Sequence, residues 1–239
     1  MDKPNTESPD TSPMEGALIV LEGIDGAGKT TLSKRLCQEL ESRGRSVVLT
    51  AEPTHEGIGA FIRSGAAGDI SQSTEALLFS ADRNDHTERM MRWVSEGKVV
   101  ICDRYFASTV AYQSASLEGT RADTEWLLSI NSDFIQRADI TILLDLDPET
   151  SMSRVGTRGE EGSKFERSDF LSQVRGGYLG LADRFGFEVV DASASADEVY
   201  ARVLAMIEEV IRCIRQRRYS ARRARGSGGR PSSWASPAA

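Results

Sequence analysis

Short apolar runs rich in β-branched residues alternate along this chain with longer stretches whose apolar residues recur every three or four positions. The runs are Ala17–Glu22 (ALIVLE), Ser46–Thr50 (SVVLT), Val99–Cys102 (VVIC), Ile140–Leu146 (ITILLDL) and Phe187–Val190 (FEVV). Continuous apolar runs of this length, without period-two alternation, predict strands covered on both faces. Between them, residues 29–43 place Leu32, Leu36 and Leu40 at four-residue intervals and stop at Gly44, the pattern of a helix and its end. A second helical stretch over 74–96 ends at Gly97, and over 197–214 Val199, Val203, Met206, Val210 and Ile214 form one stripe. Strands alternating with helices predict an α/β fold, a parallel sheet with helices on both faces. Residues 1–15 and 219–239 are polar and rich in Pro, Ser or Gly, so disordered ends are expected around one domain at 16–218.

Composition narrows the class. At 239 residues, 39% apolar and 27% charged, the body is an ordinary globule rather than a low-complexity chain. No run of about 18 apolar residues is present, and the first residues, MDKPNTESPDTSP, lack the apolar core of a secretory signal. Cys37, Cys102 and Cys213 are widely spaced and odd in number, beside only two histidines. A disulfide framework or a Cys/His zinc site is therefore not expected, and a cytoplasmic location is. The net charge of −7 conceals an asymmetry: residues 212–239 hold eight arginines and no acid, leaving 21 bases against 36 acids, a net −15, in residues 1–211. An acidic body argues against a broad nucleic-acid surface, and the basic piece reads as a solvated tail.

Directly after the first predicted strand comes Gly23-Ile24-Asp25-Gly26-Ala27-Gly28-Lys29-Thr30, followed by Thr31 and a helix. This is G-x-x-x-x-G-K-[ST] in the setting it requires. Glycines let backbone N–H groups surround phosphate oxygens, and the helix N-terminus adds partial positive charge. Lys29 reaches the β- and γ-phosphates, and the Thr30 hydroxyl suits a magnesium ion. The pattern predicts a nucleoside triphosphate site over residues 23–31.

Two further clusters bear on what the triphosphate is used for. The third strand runs into Asp103-Arg104-Tyr105: an acid at a strand tip beside such a loop is the usual magnesium anchor, and the adjacent guanidinium fork suits a second phosphate. In the long helix Phe79 and Arg83 are four residues apart and share one face, an aromatic plate beside a long donor, suited to a flat base. Phe79 alone reads first as a core residue; a charged neighbour on its face shifts the reading toward a wet or ligand-filled cleft. No Asn-Lys-x-Asp guanine-reading motif is present, which disfavours a Ras-like GTPase.

LIVLEGIDGAGKTT (18–31), LLFSADR (77–83), DRYFASTVAYQ (103–113), LLDLDPE (143–149) and VVDAS (189–193), spanning about Leu18 to Val210, together resemble the thymidylate kinases. The resemblance implies a P-loop three-layer fold with a five-stranded parallel sheet of order 2-3-1-4-5. It implies transfer of the γ-phosphoryl of ATP to dTMP with Mg²⁺, and a homodimer. Carried over by matching positions, Lys29 and the loop amides would hold ATP, with Thr30 and Asp103 at the metal, and Asp25 would orient the acceptor. Arg104 would clamp the dTMP phosphate. Phe79 would stack on thymine, Arg83 would bond a base carbonyl, and Ser108 and Thr109 would make polar contacts to the base. Tyr112 would pack against the sugar and exclude a 2′-hydroxyl, with Gln113 in the same wall. The Gly-rich, charged segment at about 154–166 matches a lid, where Arg158 and Arg154 would neutralise the transferring phosphoryl; Arg154 has an alternative place over the adenine. One departure stands out. Many bacterial members have Thr-Arg-Glu-Pro after the second strand, whereas this chain has Thr50-Ala51-Glu52-Pro53. Either Arg104 carries more of the acceptor phosphate or a group such as Arg63 substitutes. A kinase for dUMP remains open, because a single methyl group is worth only about 1–3 kcal/mol of discrimination. So does a P-loop ATPase that needs no acceptor.

Overall fold

The computed structural model describes residues 16–115, 122–156 and 161–226, excepting the side chains of 161–166, 218, 219 and 221–226. Five strands form one sheet: β1 (Ala17–Glu22), β2 (Val47–Ala51), β3 (Val99–Asp103), β4 (Ile140–Asp145) and β5 (Glu188–Asp191). Their order is β2-β3-β1-β4-β5 and every pairing is parallel. The five expected runs are these strands, with ends displaced by a residue or so, as strand boundaries read from sequence are. β1 and β3 are buried at every position, which is why they read as unbroken apolar runs.

Among the described residues eight helices connect and cover the strands: α1 (Lys29–Ser42), α2 (Gly57–Arg63), α3 (Gln72–Ser95), α4 (Phe106–Gln113), α5 (Thr124–Ser129), α6 (Pro148–Val155), α7 (Glu161–Phe185) and α8 (Ala196–Gly226). α1 buries Leu32, Leu36 and Leu40, the predicted stripe. α3 starts at Ser71, whose hydroxyl accepts from the Thr74 amide, and α6 starts at Asp147, which does the same for Thr150.

In the span that the resemblance matches to a lid, 154–166, α6 runs through Val155 and α7 begins at Glu161. Glu161 and Lys164, at the start of α7, are good helix formers. α8 continues to Gly226, beyond the boundary expected at 218. Arg and Ala dominate that extension and favour helix even without an apolar face.

The central strands carry the site. β1, β3 and β4 lie side by side, so the loops leaving their C-terminal ends emerge together at one edge of the sheet, where open α/β sheets bind ligands.

Candidate active site

β1 ends at Glu22 and the chain enters α1 at Lys29. The turn demands glycine at both ends. Gly28 caps α1 at φ 92°, and a side chain on Gly23 (φ 141°) would put its Cβ 2.5 Å from the Leu144 carbonyl oxygen. Lys29 is buried, and its Nζ donates to the carbonyls of Gly23 at 2.8 Å and Ile24 at 2.9 Å. Burial, with the nearby Arg104 charge, lowers its pKa to about 8. The expected nucleotide residues therefore divide. Asp25, Gly26, Gly28, Lys29, Thr30 and Thr31 line a cavity of about 470 Å³. Gly23, Ile24 and Ala27 form the buried inner side of the loop.

Thr30 and Asp103 meet across the sheet edge, Thr30 Oγ1 donating to Asp103 Oδ2 at 2.6 Å. The other carboxylate oxygen, Oδ1, is buried with no hydrogen-bond partner among the described residues. A hydroxyl and an unsatisfied carboxylate oxygen beside a phosphate loop fit a magnesium ion, which prefers oxygen ligands and keeps bound waters.

Arg104 stands between two cavities and lines both. Its backbone is left-handed, φ 74°, alone among the described non-glycine residues. Its guanidinium pairs with Asp25 and donates to Ser108 Oγ at 3.1 Å, Tyr178 Oη at 3.3 Å and the Gly23 carbonyl at 3.3 Å. Beneath lies Glu22, fully buried, accepting from the Tyr105 amide at 2.8 Å, Ser108 Oγ at 2.6 Å and Tyr178 Oη at 3.3 Å. Burial pushes the Glu22 carboxyl above the usual carboxylate range, against the bond from Ser108 and the Arg104 charge. Burial likewise holds the Tyr178 hydroxyl well above its ordinary value. Ser108 was expected to meet a base. It lines the second cavity, but its hydroxyl is engaged by Glu22, Arg104 and Tyr178, which makes it part of the Arg104 mount.

The second cavity, about 360 Å³, is lined by Phe79, Arg83, Thr109, Tyr112 and Gln113 among others. Phe79 is half-buried and lies outside the hydrophobic core, so its ring belongs to the cavity. Tyr112 packs edge-on against Phe170 and Tyr178, with the Arg104 guanidinium 5.3 Å from its ring centre. Gln113 Nε2 donates to Glu75 at 2.9 Å, so Gln113 is a fixed wall residue and not a free surface glutamine. Arg83 is only 1% exposed and is held by Glu52, Asn131, Thr109 and the Tyr105 carbonyl.

Ala51 and Arg63 both line the phosphate-side cavity. Arg63 Nε donates to the Pro53 carbonyl at 2.8 Å. Arg154 also lines that cavity and donates to the Ala192 carbonyl at 2.9 Å, next to the loop after β5. Arg158 lies outside the described residues.

Sequence reasoning passed over Glu22, Tyr178, Asn131 and His86. Glu22 did leave a signal, an acid closing an apolar strand run. Tyr178, Asn131 and His86 left none, because their partners are distant in the chain.

The sequence pattern of the thymidylate kinases matches residues 21–203. A probable thymidylate kinase of Pyrococcus horikoshii is 42% identical over 204 residues, covering 82% of this chain and 97% of the relative. A thymidylate kinase of Xanthomonas oryzae pv. oryzae is 44% identical over 194 residues, 80% of this chain and 83% of the relative. A probable thymidylate kinase of Thermococcus kodakarensis is 40% identical over 205 residues, 81% and 98%. The matched span contains the phosphate loop, the Asp103-Arg104 turn and both cavities, and the chain belongs to the thymidylate kinase family.

Proposed function

We infer that this protein transfers the γ-phosphoryl group of ATP to dTMP, giving ADP and dTDP. The observation that carries the reading is Arg104: one guanidinium lines both the cavity beside Lys29 and the cavity beside Phe79 and Arg83. An in-line transfer needs a donor phosphate and an acceptor phosphate held apart by little more than the reacting atoms, with cations between them.

Lys29 exchanges its two loop carbonyls for phosphate oxygens when ATP enters. Thr30 and Asp103 hold magnesium, which supplies neutralisation of the triphosphate charge. Phe79 stacks on thymine, and Arg83 bonds a base carbonyl. Thr109 and Gln113 complete the wall. Tyr112 packs on the sugar where a 2′-hydroxyl would project. Arg104 clamps the dTMP phosphate, and Asp25, already paired with it, orients both. Glu22, Ser108 and Tyr178 fix the guanidinium, so little reorganisation accompanies the reaction. Arg63 stands on the phosphate side where Ala51 contributes no charge. Arg154 lines the phosphate-side cavity, where it would neutralise the transferring phosphoryl or instead lie over the adenine; the same duty expected of Arg158 falls outside the described residues. No side chain forms a covalent intermediate.

The reading extends to a cytoplasmic homodimer. Three free cysteines suit a reducing compartment, and no helix among the described residues is long and apolar enough to cross a membrane. Phe61 on α2 and Leu77 on α3 offer exposed apolar surface for a second copy, which sedimentation would detect.

The decisive assay follows ADP formation from Mg·ATP with and without dTMP and identifies the second product. Strict dTMP dependence with dTDP formed is expected. ATP hydrolysis indifferent to dTMP would overturn the reading in favour of a P-loop ATPase, and equal turnover of dUMP would overturn the assignment of the acceptor.

A further inference from the structure

Arg83 and Thr109 join the base cavity to a polar chain that runs inward through Glu52, His86, Asn131 and Thr50. Thr50 Oγ1, at the end of β2, lies 2.7 Å from His86 Nε2. His86 Nδ1 lies 2.9 Å from Glu52 Oε1, and Glu52 Oε2 accepts from Arg83 Nε at 2.8 Å. Arg83 Nη1 donates to Asn131 Oδ1 at 2.8 Å, and Nη2 to Thr109 Oγ1 at 2.7 Å and the Tyr105 carbonyl at 3.4 Å. Asn131 is in turn fixed by its own bond to the Leu127 carbonyl at 2.7 Å. Glu52, Arg83, His86, Thr109 and Asn131 are all buried. Such a network is costly to leave half-satisfied, so its members hold one arrangement.

The donors can be counted. A guanidinium carries five N–H bonds and no acceptor. Four are taken up by these partners, which leaves one hydrogen, on Nη1, for the cavity that Arg83 lines. Thr109 accepts from Arg83, so its hydroxyl hydrogen is free to donate as well. At this point of the wall Arg83 can donate and cannot accept. A base carbonyl suits it; a base amino group, itself a donor, does not.

Resting on the kinase reading above, we propose that Glu52, oriented by His86, is the positioning residue for base selection. It holds Arg83 in the one setting that accepts a keto pyrimidine and refuses an amino pyrimidine. Glu52 lines both cavities, but both of its carboxylate oxygens are committed, to Arg83 and to His86. It acts through Arg83, and it is fixed from three sides: by Arg83, by His86, and by its own amide, which donates to the Asp103 carbonyl at 3.1 Å.

The test compares kcat/KM for dTMP and dCMP in the full-length protein and in Glu52→Gln, His86→Gln and His86→Asn, with thermal unfolding of each. In Glu52→Gln one of the two oxygens becomes a donor, so Arg83 or His86 loses its acceptor. His86→Asn places an amide near the Nδ1 position and keeps the contact to Glu52; His86→Gln places it near Nε2 and keeps only the contact to Thr50. Glu52→Gln and His86→Gln should lower the dTMP-to-dCMP ratio about tenfold. The loss should fall on KM for dTMP more than on kcat, with KM for ATP little moved. His86→Asn should keep most of the wild-type ratio. A general loosening of the fold would instead lower kcat for all substrates and treat both His86 variants alike. An unchanged ratio in a stably folded Glu52→Gln protein, or equal behaviour of the two His86 variants, overturns the proposal. Should Glu52→Gln fail to fold, the His86 pair decides. A wild-type protein with no dTMP-dependent turnover would overturn the kinase reading itself, a result distinct from either.

Discussion

Arg104 holds a side chain at φ 74°, a backbone setting that costs a residue with a Cβ on the order of 1 kcal/mol. The setting turns the guanidinium back over Gly23 and Asp25, between the two cavities. Two substitutions separate the side chain from the strain. Arg104→Ala should lower kcat/KM for dTMP about a hundredfold while leaving ATP affinity near wild type. Arg104→Gly should lose the same activity but resist urea better than the Ala protein by about 1 kcal/mol, because glycine accepts a positive φ. Lys29 makes a different prediction. Its pKa is lowered to about 8 by burial and the Arg104 charge, so in the free protein it is half-protonated near pH 8. Phosphate oxygens favour the charged form and raise the pKa on binding. ATP binding at pH 8 should therefore take up protons, and affinity should fall as pH rises through about 8. Calorimetry in buffers of different ionisation enthalpy would register the uptake, and its absence would contradict the assignment. Lys29 and Thr30 stood out in the sequence through the glycine pattern that opens α1, and Asp103 and Arg104 through their place at the end of a strand. The duty of Ser108 did not, because Glu22 and Tyr178 claim its hydroxyl from far along the chain.

α3 does several jobs at the scale of an element. Its inner face buries Ala76, Ser80, Arg83, His86 and Met90, and it brings Phe79 to the cavity. The four-residue spacing of Phe79 and Arg83 revealed their shared face without the fold. Asp82, between them, gave no hint. It lies on the side where the segment after β2 folds back, accepting from the Thr54 amide at 2.7 Å and the Thr54 hydroxyl at 2.6 Å. Asp82→Ala would leave the buried Thr54 amide unpaired, while the Thr54 hydroxyl keeps the Glu56 carbonyl at 3.0 Å, and should destabilise the protein by about 2 kcal/mol in urea titration. A value near zero would mean that water replaces the carboxylate. α7 is tied to the sheet by a paired contact, Arg175 Nε and Nη2 donating to the two Asp145 oxygens at 2.7 and 2.8 Å. This helix begins inside the span matched to a lid and supplies Phe170 and Tyr178 to the wall behind Tyr112. Its sequence carries little apolar periodicity, because it packs on α4, α6 and β4 at different points along its length.

The whole molecule determines how the two cavities relate. The order β2-β3-β1-β4-β5 sets the ends of β3 and β1 side by side, so Arg104 and Asp25 pair across a separation of 79 residues. Both cavities share Asp25, Glu52 and Arg104, and in the proposed reaction this common wall would lie between the two nucleotides. Tyr112 depends on the same assembly: α4 carries it, while Phe170 and Tyr178 of α7 hold its ring. Tyr112→Ala should admit ribonucleotides. The ratio of kcat/KM for dTMP to that for ribothymidine monophosphate should fall by about tenfold or more. An unchanged ratio would remove Tyr112 from the recognition of the sugar.

The sequence by itself determined the alternation of strand and helix, the phosphate loop, the strand-end acid and arginine, and the aromatic–arginine face of α3. Each of these is local: apolar runs, a glycine pattern, or a spacing of four residues reports its own surroundings. Only the tertiary structure decided which polar groups share a partner. Glu22 with Tyr178, Glu52 with His86 and Arg83, Asp82 with Thr54, and Arg154 with Ala192 are each joined by folding across 28 or more residues. A hydrogen bond satisfies a buried group wherever its partner comes from, so no spacing along the chain announces it.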